Sequence, residues 1–194
     1  MGIEYELKYR ATPEALDRLE AAYAGKGQLL QMESTYFDTP DGALSARFWT
    51  LRRRLENGKS ICTFKFPVDG PGRGEWEVEA ATVEEALPVL CKLSGKEDLA
   101  VLTGAGLVEV CGARFTRLAV PVTAGGSLLE LALDRGILTG GGRQLPLCEV
   151  EAELKAGDPR DADLFAAWLQ AAFGLTPENR SKFRRALSLA KGEL

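Results

Sequence analysis

Glu4, Glu6 and Lys8 alternate with Ile3, Tyr5, Leu7 and Tyr9 at the start of the chain. On an extended strand this spacing puts the three charges on one face, with same-face neighbours roughly 7 Å apart. Two carboxylates at that separation repel by about 2 kcal/mol at an effective dielectric near 20. The row is stable only in water or against cations. Because the opposite face is apolar and has to be buried, the charged face is either a wet outer surface or the lining of a polar cavity.

The pattern recurs along the chain. Arg73, Glu75, Glu77 and Glu79 share one parity around Gly74, Trp76 and Val78, and Glu149, Glu151 and Glu153 share one around Val150, Ala152 and Leu154. Basic strands match these acidic ones: Arg52 and Arg54 flank Arg53 after Leu51, and Thr63 and Lys65 alternate with Cys62, Phe64 and Phe66. Carboxylates in rows hold hard divalent cations, and arginine and lysine clamp phosphoryl oxygens. Facing walls of the two kinds suit a polyanion bridged to carboxylates by divalent metal.

Composition narrows the chemistry. The chain of 194 residues has no histidine, which removes Ser-His-Asp and Cys-His nucleophiles, an imidazole base and the usual zinc hydrolase centre. With 28 acidic residues against 24 basic, the net charge of -4 does not point to nucleic acid. Cys62, Cys91, Cys111 and Cys148 are widely spaced without a CxxC pair and read as reduced core thiols. No apolar run is long enough for a membrane span and no signal peptide opens the sequence, so the expected location is the cytoplasm.

Strands and helices that would carry these residues are legible in outline. Thr12 and Pro13 open a helix that runs through Leu16, Leu19 and Tyr23 to Gly25, and residues 28 to 37 are extended before a turn at Asp38 to Gly42. Trp49 to Leu55 and Ser60 to Pro67 form a hairpin, and a glycine-proline loop from Asp69 to Gly74 leads to the strand Glu75 to Ala80. A helix from Thr82 to Leu93 begins with a capping box ending at Glu85, and Leu99 to Gly106 makes a second short piece. Strands resume at Val108 to Val122, Ser127 to Asp134 and Leu147 to Lys155. Their turns are rich in glycine, but no GKS or GKT follows, which argues against a phosphate loop. Ala162 to Phe173 is an amphipathic helix stopped by Gly174, and Arg180 to Ala190 is a basic helix.

The inventory is α+β with a dominant antiparallel sheet. Charged rows on many strands converge only if the sheet curls, and closure into a barrel of about eight strands removes the edges and leaves a lumen. At this point the ordered residues resemble a known family. Glu4-x-Glu6-x-Lys8, Tyr36-Phe37-Asp38-Thr39-Pro40, Leu51-Arg52-Arg53-Arg54, Thr63-Phe64-Lys65, Arg73-Gly74-Glu75-Trp76-Glu77, Glu130 through Asp134, Glu149-Val150-Glu151-Ala152-Glu153 and Ser181-Lys182 are together similar to the CYTH domain of the triphosphate tunnel metalloenzymes. The resemblance covers nearly the whole chain, and implies a single domain over residues 1–194 with a C-terminal helical segment at 160–194.

The resemblance implies a closed eight-stranded antiparallel β-barrel, a tunnel with flanking helices, and Mg²⁺ or Mn²⁺, two ions, as cofactor. It assigns Glu4, Glu6, Glu149, Glu151 and Glu153 to metal, and Lys8, Arg52, Arg54, Lys65, Arg73, Arg117 and Lys182 to triphosphate. Glu75, Glu77, Glu130 and Asp134 line the tunnel, and Glu4, Glu6, Lys8 and Glu151 carry catalysis. Arg117 is preferred to Arg114 because its spacing to Asp134 looks like the family's. Two departures stand out: Arg53 replaces the usual apolar residue and should point outward, and the glycine that commonly precedes this strand is not evident around Arg47 and Phe48. The implied activity is hydrolysis of inorganic triphosphate to pyrophosphate and phosphate, closest to bacterial inorganic triphosphatases. In these a helical CHAD domain often follows, and a C-terminal CHAD domain is the expected partner in a longer native chain. The other readings are a class IV adenylate cyclase, a thiamine or nucleoside triphosphatase, and a non-catalytic polyphosphate-binding module. The sequence identifies no pocket for an organic group.

Overall fold

Alternation with period two governs most of the chain, and it closes. The structure, a computed structural model, describes residues 2–69 and 72–193. Gly70 and Pro71 of the glycine-proline loop and the side chain of Ile3 lie outside the described residues. The strands are β1 (Gly2–Arg10), β2 (Gln28–Asp38), β3 (Thr50–Glu56), β4 (Lys59–Pro67), β5 (Arg73–Glu79), β6 (Val108–Ala124), β7 (Ser127–Gly140), β8 (Arg143–Ala156) and the two-residue β9 (Thr176–Pro177). Their order is β5-β4-β3-β2-β6-β7-β8-β1, and β5 pairs back onto β1, so eight antiparallel strands form a closed barrel. The closing seam is short. Only Gly2 to Glu4 pair with β5, while Tyr5 to Arg10 pair with β8.

Two strands run further than their alternation suggested. β7 and β8, expected to stop at Asp134 and start at Leu147, continue to a hairpin at Gly141-Gly142. Arg135, Gly136 and Pro146 mask this continuation in the sequence. Gly136 is there because a Cβ would strike the carbonyl oxygen of Arg114 on the neighbouring strand. Phe48, just before the strand where a glycine was expected, sits at φ 58° and is 56% exposed.

The helices are α1 (Pro13–Ala22), α2 (Ala43–Ala46), α3 (Val83–Ser94), α4 (Glu97–Thr103), α5 (Pro159–Phe173) and α6 (Lys182–Lys191). Caps set their starts: Thr12, Thr82, Asp158 and Ser181 each accept a first-turn N–H. The expected capping box is shifted by one residue, because the Glu85 carboxylate accepts from the N–H of Ala81. The outer face of the barrel is the apolar one. α1 and α5 cover β1, β7 and β8 through Leu16, Leu19, Leu131, Leu133, Val150 and Leu169, and α3 and α4 cover β3 and β4 through Leu51, Phe64, Leu90 and Leu99. This leaves the charged face inside.

The inward face is not polar throughout. Ala113, Phe115, Leu138 and Leu147 gather with Leu30 and Met32 and pack against Ala186 of α6, which closes one end of the bore. At the turn after β2, buried Asp38 accepts N–H bonds from Thr39 (2.8 Å), Leu44 (2.9 Å) and Ser45 (3.1 Å), and so ties α2 to the barrel rim. Asp38→Ala would strand these donors. The expected loss is about 2–3 kcal/mol, read as a lower denaturation midpoint in urea at unchanged slope.

Candidate functional site

A cavity of about 320 Å³ occupies the bore. Glu4, Glu6 and Lys8 of β1, Arg52 and Arg54 of β3, Lys65 of β4, Arg73, Glu75 and Glu77 of β5, Arg117 of β6, Glu130 of β7, Glu151 and Glu153 of β8 and Lys182 of α6 all line it. Asp134 and Glu149 share the inward parity but lie behind the lining, fully buried. Arg114 faces outward against Glu33, and Arg53 points out toward Ser60, as its parity requires. Lys155, Glu56, Tyr36 and Thr63 also line the bore. Lys155 was legible as the next inward position after Glu153, and Thr63 as the partner of Lys65 in parity. Eight carboxylates and eight cationic side chains face one another in the lining, so its formal charge is balanced.

The first cluster joins β6, β7, β8 and α6. Arg117 donates to both oxygens of Asp134 (2.7 Å each) and to Glu151 (2.6 Å). Lys182 reaches Asp134 (2.7 Å), Glu151 (2.8 Å) and Glu149, and Arg185 also pairs with Glu149. Asp134, Glu149 and Glu151 approach closely enough to share one cation, and the Lys182 ammonium contacts all three. Burial alone would raise the Glu151 carboxyl, but Lys182, Arg117 and Lys8 hold it well below the ordinary range. Burial dominates at Glu149, which rises to about 7 despite Lys182. Arg185 was not among the expected site residues. Its three-residue spacing from Lys182 on a helix was the available signal.

The second cluster belongs to β1, β3, β4 and β5. Lys65 holds Glu4 (2.7 Å) and Glu75 (3.1 Å), and Arg52 donates to Thr63 (3.0 Å), whose hydroxyl donates to Glu77 (3.0 Å). Arg54 lies 3.2 Å from Glu56 and 3.5 Å from Glu77. Burial and the repulsion of Arg52 lower its pKa. The Nε atoms of Arg52, Arg54 and Arg73 are buried and have no hydrogen-bond partner. The three guanidinium groups line one bore, where an anion with several acceptor oxygens would complement their charge.

A third group is set by register. Glu6 lies directly across from Glu153, and Glu153 directly across from Glu130, on three adjacent strands. Like charges directly opposed across strands are destabilising. Lys8 at 2.7 Å from Glu6 and Lys155 at 2.7 Å from Glu153 offset part of that repulsion. Burial raises the Glu153 carboxyl. With Glu4 beside Glu6 along β1, these carboxylates make the acidic side of the bore, while the three found close enough to share one ion among the described residues are Asp134, Glu149 and Glu151.

Beside the bore is an open basin of about 900 Å³ that shares Glu4, Glu6, Lys8, Arg73 and Ser181 with it. It follows the stretch of β1 between its β5 and β9 partners. Phe48 lines the basin with the Arg184 guanidinium 5.2 Å over its ring, and Arg73 donates to the Phe48 carbonyl (2.7 Å). Below the basin the segment Pro177 to Ser181 is fastened by Glu178, which accepts from the backbone N–H and guanidinium of Arg180 (2.9–3.1 Å) and donates its own N–H to the Lys8 carbonyl. The Arg180 bonds hold the Glu178 carboxyl down at about 2. A depressed folded-state pKa stabilises above the unfolded value near 4.5 and loses that contribution as pH falls toward 2. Glu178→Gln should therefore cost on the order of 2 kcal/mol at pH 7, and its deficit against the parent in urea unfolding should shrink as pH falls from 5 toward 2.

An inverted barrel with a charged bore defines a class, and the comparisons agree. The CYTH domain family matches residues 2–187, and the chain belongs to that family. It is 27% identical over 193 residues to an inorganic triphosphatase from Haemophilus influenzae, covering 96% of this chain and 54% of that protein. The chain thus spans about half the length of that relative. Among solved structures, a putative adenylate cyclase from Bacillus halodurans superposes with a TM-score of 0.67 at 18% identity, covering 94% of this chain and 96% of that one. A putative adenylyl cyclase from Hippeastrum, described as having a dominant triphosphatase activity, superposes with a TM-score of 0.65 at 21% identity, covering 100% and 97%. At these identities the structural matches speak to the fold. Among the described residues no helix is long and apolar enough to cross a membrane.

Proposed function

We propose that the chain hydrolyses inorganic triphosphate to pyrophosphate and phosphate inside the bore, with divalent metal. The observation that carries this reading is one charge-balanced cavity in which eight cationic side chains, Arg52, Arg54 and Arg73 among them, face eight carboxylates. A bare polyanion would upset that balance, whereas a triphosphate that arrives with divalent cations preserves it. The opposed carboxylates Glu6, Glu153 and Glu130, with Glu4 adjacent, would supply oxygen ligands to such cations. Glu151 is shared with Lys182 and Arg117, and Glu149 is committed to Lys182 and Arg185, so their assigned part in metal binding is the supporting one. Mg²⁺ or Mn²⁺ in that set would neutralise phosphoryl oxygens and acidify an attacking water.

The remaining roles fall to the chain. Arg52, Arg54, Arg73 and Lys65 bind and orient the phosphoryl oxygens from β3, β4 and β5. Their charge acts more strongly than at an open surface because the Arg52, Arg54 and Lys65 side chains are only 14–18% exposed. Lys8 sits 2.7 Å from Glu6 and 3.7 Å from Glu151, where its ammonium would be placed to bind a phosphate oxygen in the bore. Arg117 and Lys182 are held by Asp134, so they present fixed positive charge to the opposite side of the substrate. The test is phosphate release from tripolyphosphate across Mg²⁺, Mn²⁺ and Ca²⁺. Release with the first two supports the reading, and tight binding without release under any metal replaces it with the polyphosphate-binding module. Arg52→Ala should raise KM for tripolyphosphate about tenfold to a hundredfold, the loss of one or two charge-assisted bonds, with a smaller fall in kcat.

A second reading has one observation in its favour. The basin with the exposed Phe48 ring and Arg184 offers an organic group a place that the sequence did not disclose. Turnover of ATP and thiamine triphosphate beside tripolyphosphate separates a nucleotide cyclase or organic triphosphatase from the inorganic enzyme.

A further inference from the structure

Seven of the eight cationic side chains that line the bore lie 3.6 Å or less from a carboxylate oxygen. Arg73 is the eighth. Among the described residues its guanidinium has no carboxylate at salt-bridge distance and donates instead to the carbonyl oxygen of Phe48 (2.7 Å). A neutral partner fixes the group without cancelling its charge. The tether matters because Arg73 is the first residue of β5, where the ladders to β1 and β4 both end.

The direction of that carbonyl comes from the backbone of Phe48 itself. Phe48 follows α2 at φ 58°, and the N–H groups of Phe48 and Trp49 donate to the carbonyls of Ser45 and Leu44 (3.0 Å each). This pair of bonds is the left-handed helix ending at which glycine is favoured and a bulky side chain is strained. The Phe48 ring offsets part of that strain, with the Arg184 guanidinium of α6 lying 5.2 Å from its centroid. We propose that Phe48 is a positioning residue for triphosphate: its left-handed peptide aims a carbonyl at Arg73 and so places the bore cation that, among the described residues, no carboxylate holds. This inference rests on the reading of the bore as a triphosphate site. A displaced Arg73 would lose its alignment with a phosphoryl oxygen while the other bore cations keep their carboxylate partners.

Equilibrium binding of tripolyphosphate with Ca²⁺, and KM and kcat with Mn²⁺, test this. Arg73→Ala should weaken binding about tenfold, the scale of one charge-assisted bond. Phe48→Val, a β-branched residue that resists positive φ, should weaken it about threefold or more, raise KM in step and lower kcat less. Glycine adopts the same backbone without a side chain, so Phe48→Gly should bind within about twofold of the parent. The comparison that isolates positioning joins F48V to R73A: the double variant should bind no more weakly than R73A alone, because the turned carbonyl has nothing left to place. If F48V fails to fold by circular dichroism, Phe48→Ala carries the same comparison. Additive losses in the double variant, or F48V binding as the parent does, would overturn the positioning role and leave Arg73 as a triphosphate contact. F48G as weak as F48V would give the effect to the ring and overturn it too. R73A binding as the parent does would remove Arg73 from the site, and this inference with it. Binding without turnover under any metal would end the hydrolytic reading and still leave the binding comparison intact.

Discussion

Glu4→Gln with Glu6→Gln should lower metal-dependent phosphate release from tripolyphosphate by about a thousandfold or more, the scale of losing charge stabilisation aimed at a transition state. The fold should survive. Both side chains line the cavity and belong to no apolar cluster, and the lysines they leave, Lys65 and Lys8, keep Glu75 and Glu151 as neighbours. The apo melting temperature should thus move by only a few degrees, the shift expected from about 1 kcal/mol in a chain this size. The rise in melting temperature on adding Mn²⁺ should disappear with the activity. Retained turnover would move the metal site away from the opposed glutamates. Loss of turnover with the Mn²⁺ shift intact would separate metal binding from these two residues.

Lys182→Met should be the most destabilising single change in the bore. It removes the ammonium shared by Asp134, Glu149 and Glu151, of which Asp134 and Glu149 are fully buried. Breaking a buried ionic network from one side typically costs about 3–5 kcal/mol, because the abandoned charges remain in a poorly solvated place. In a chain of this length that is a fall of roughly 10 °C in melting temperature. The pH dependence has a definite sign. Carboxylates stripped of their cation have folded-state pKa values above the unfolded ones, so protonation favours the folded state, and the variant's deficit should narrow as pH is lowered from 8 toward 5. Glu149, already at about 7, would take up that proton first. Adding Glu149→Gln should recover part of the loss. An unchanged melting temperature in K182M would mean that α6 closes the barrel by its apolar contacts alone.

Legibility in the sequence followed the range of each interaction. The inward positions on β1, β3, β4, β5 and β8 were readable because a strand alternates every second residue, and one parity in each carried charge. Helix starts at Thr12 and Thr82 were readable because a cap acts over three residues, whereas the last helix, expected from Arg180, begins at Lys182 behind the Ser181 cap. β7 and β8 were cut short because Gly136 and Pro146 mimic a turn when the facing strand is not in view. The αL geometry of Phe48 had left a trace, the missing glycine, but the basin it borders depends on how far β5 overlaps β1. Lys155 continued a visible row. Arg185 did not, since a basic residue on an amphipathic terminal helix ordinarily faces water.

The sequence by itself determined which side chains share a face, that the charged faces outnumber what one solvated sheet would carry, and that imidazole chemistry plays no part. Only the tertiary structure decided how those faces are used. Strand register opposes Glu6, Glu153 and Glu130, and the docking of α6 buries Glu149 behind Lys182 and Arg185 although it has the same parity as Glu151 and Glu153. The physical reason is that parity is a property of neighbouring residues, whereas register and burial come from closure of a sheet whose first and fifth strands meet across some seventy residues.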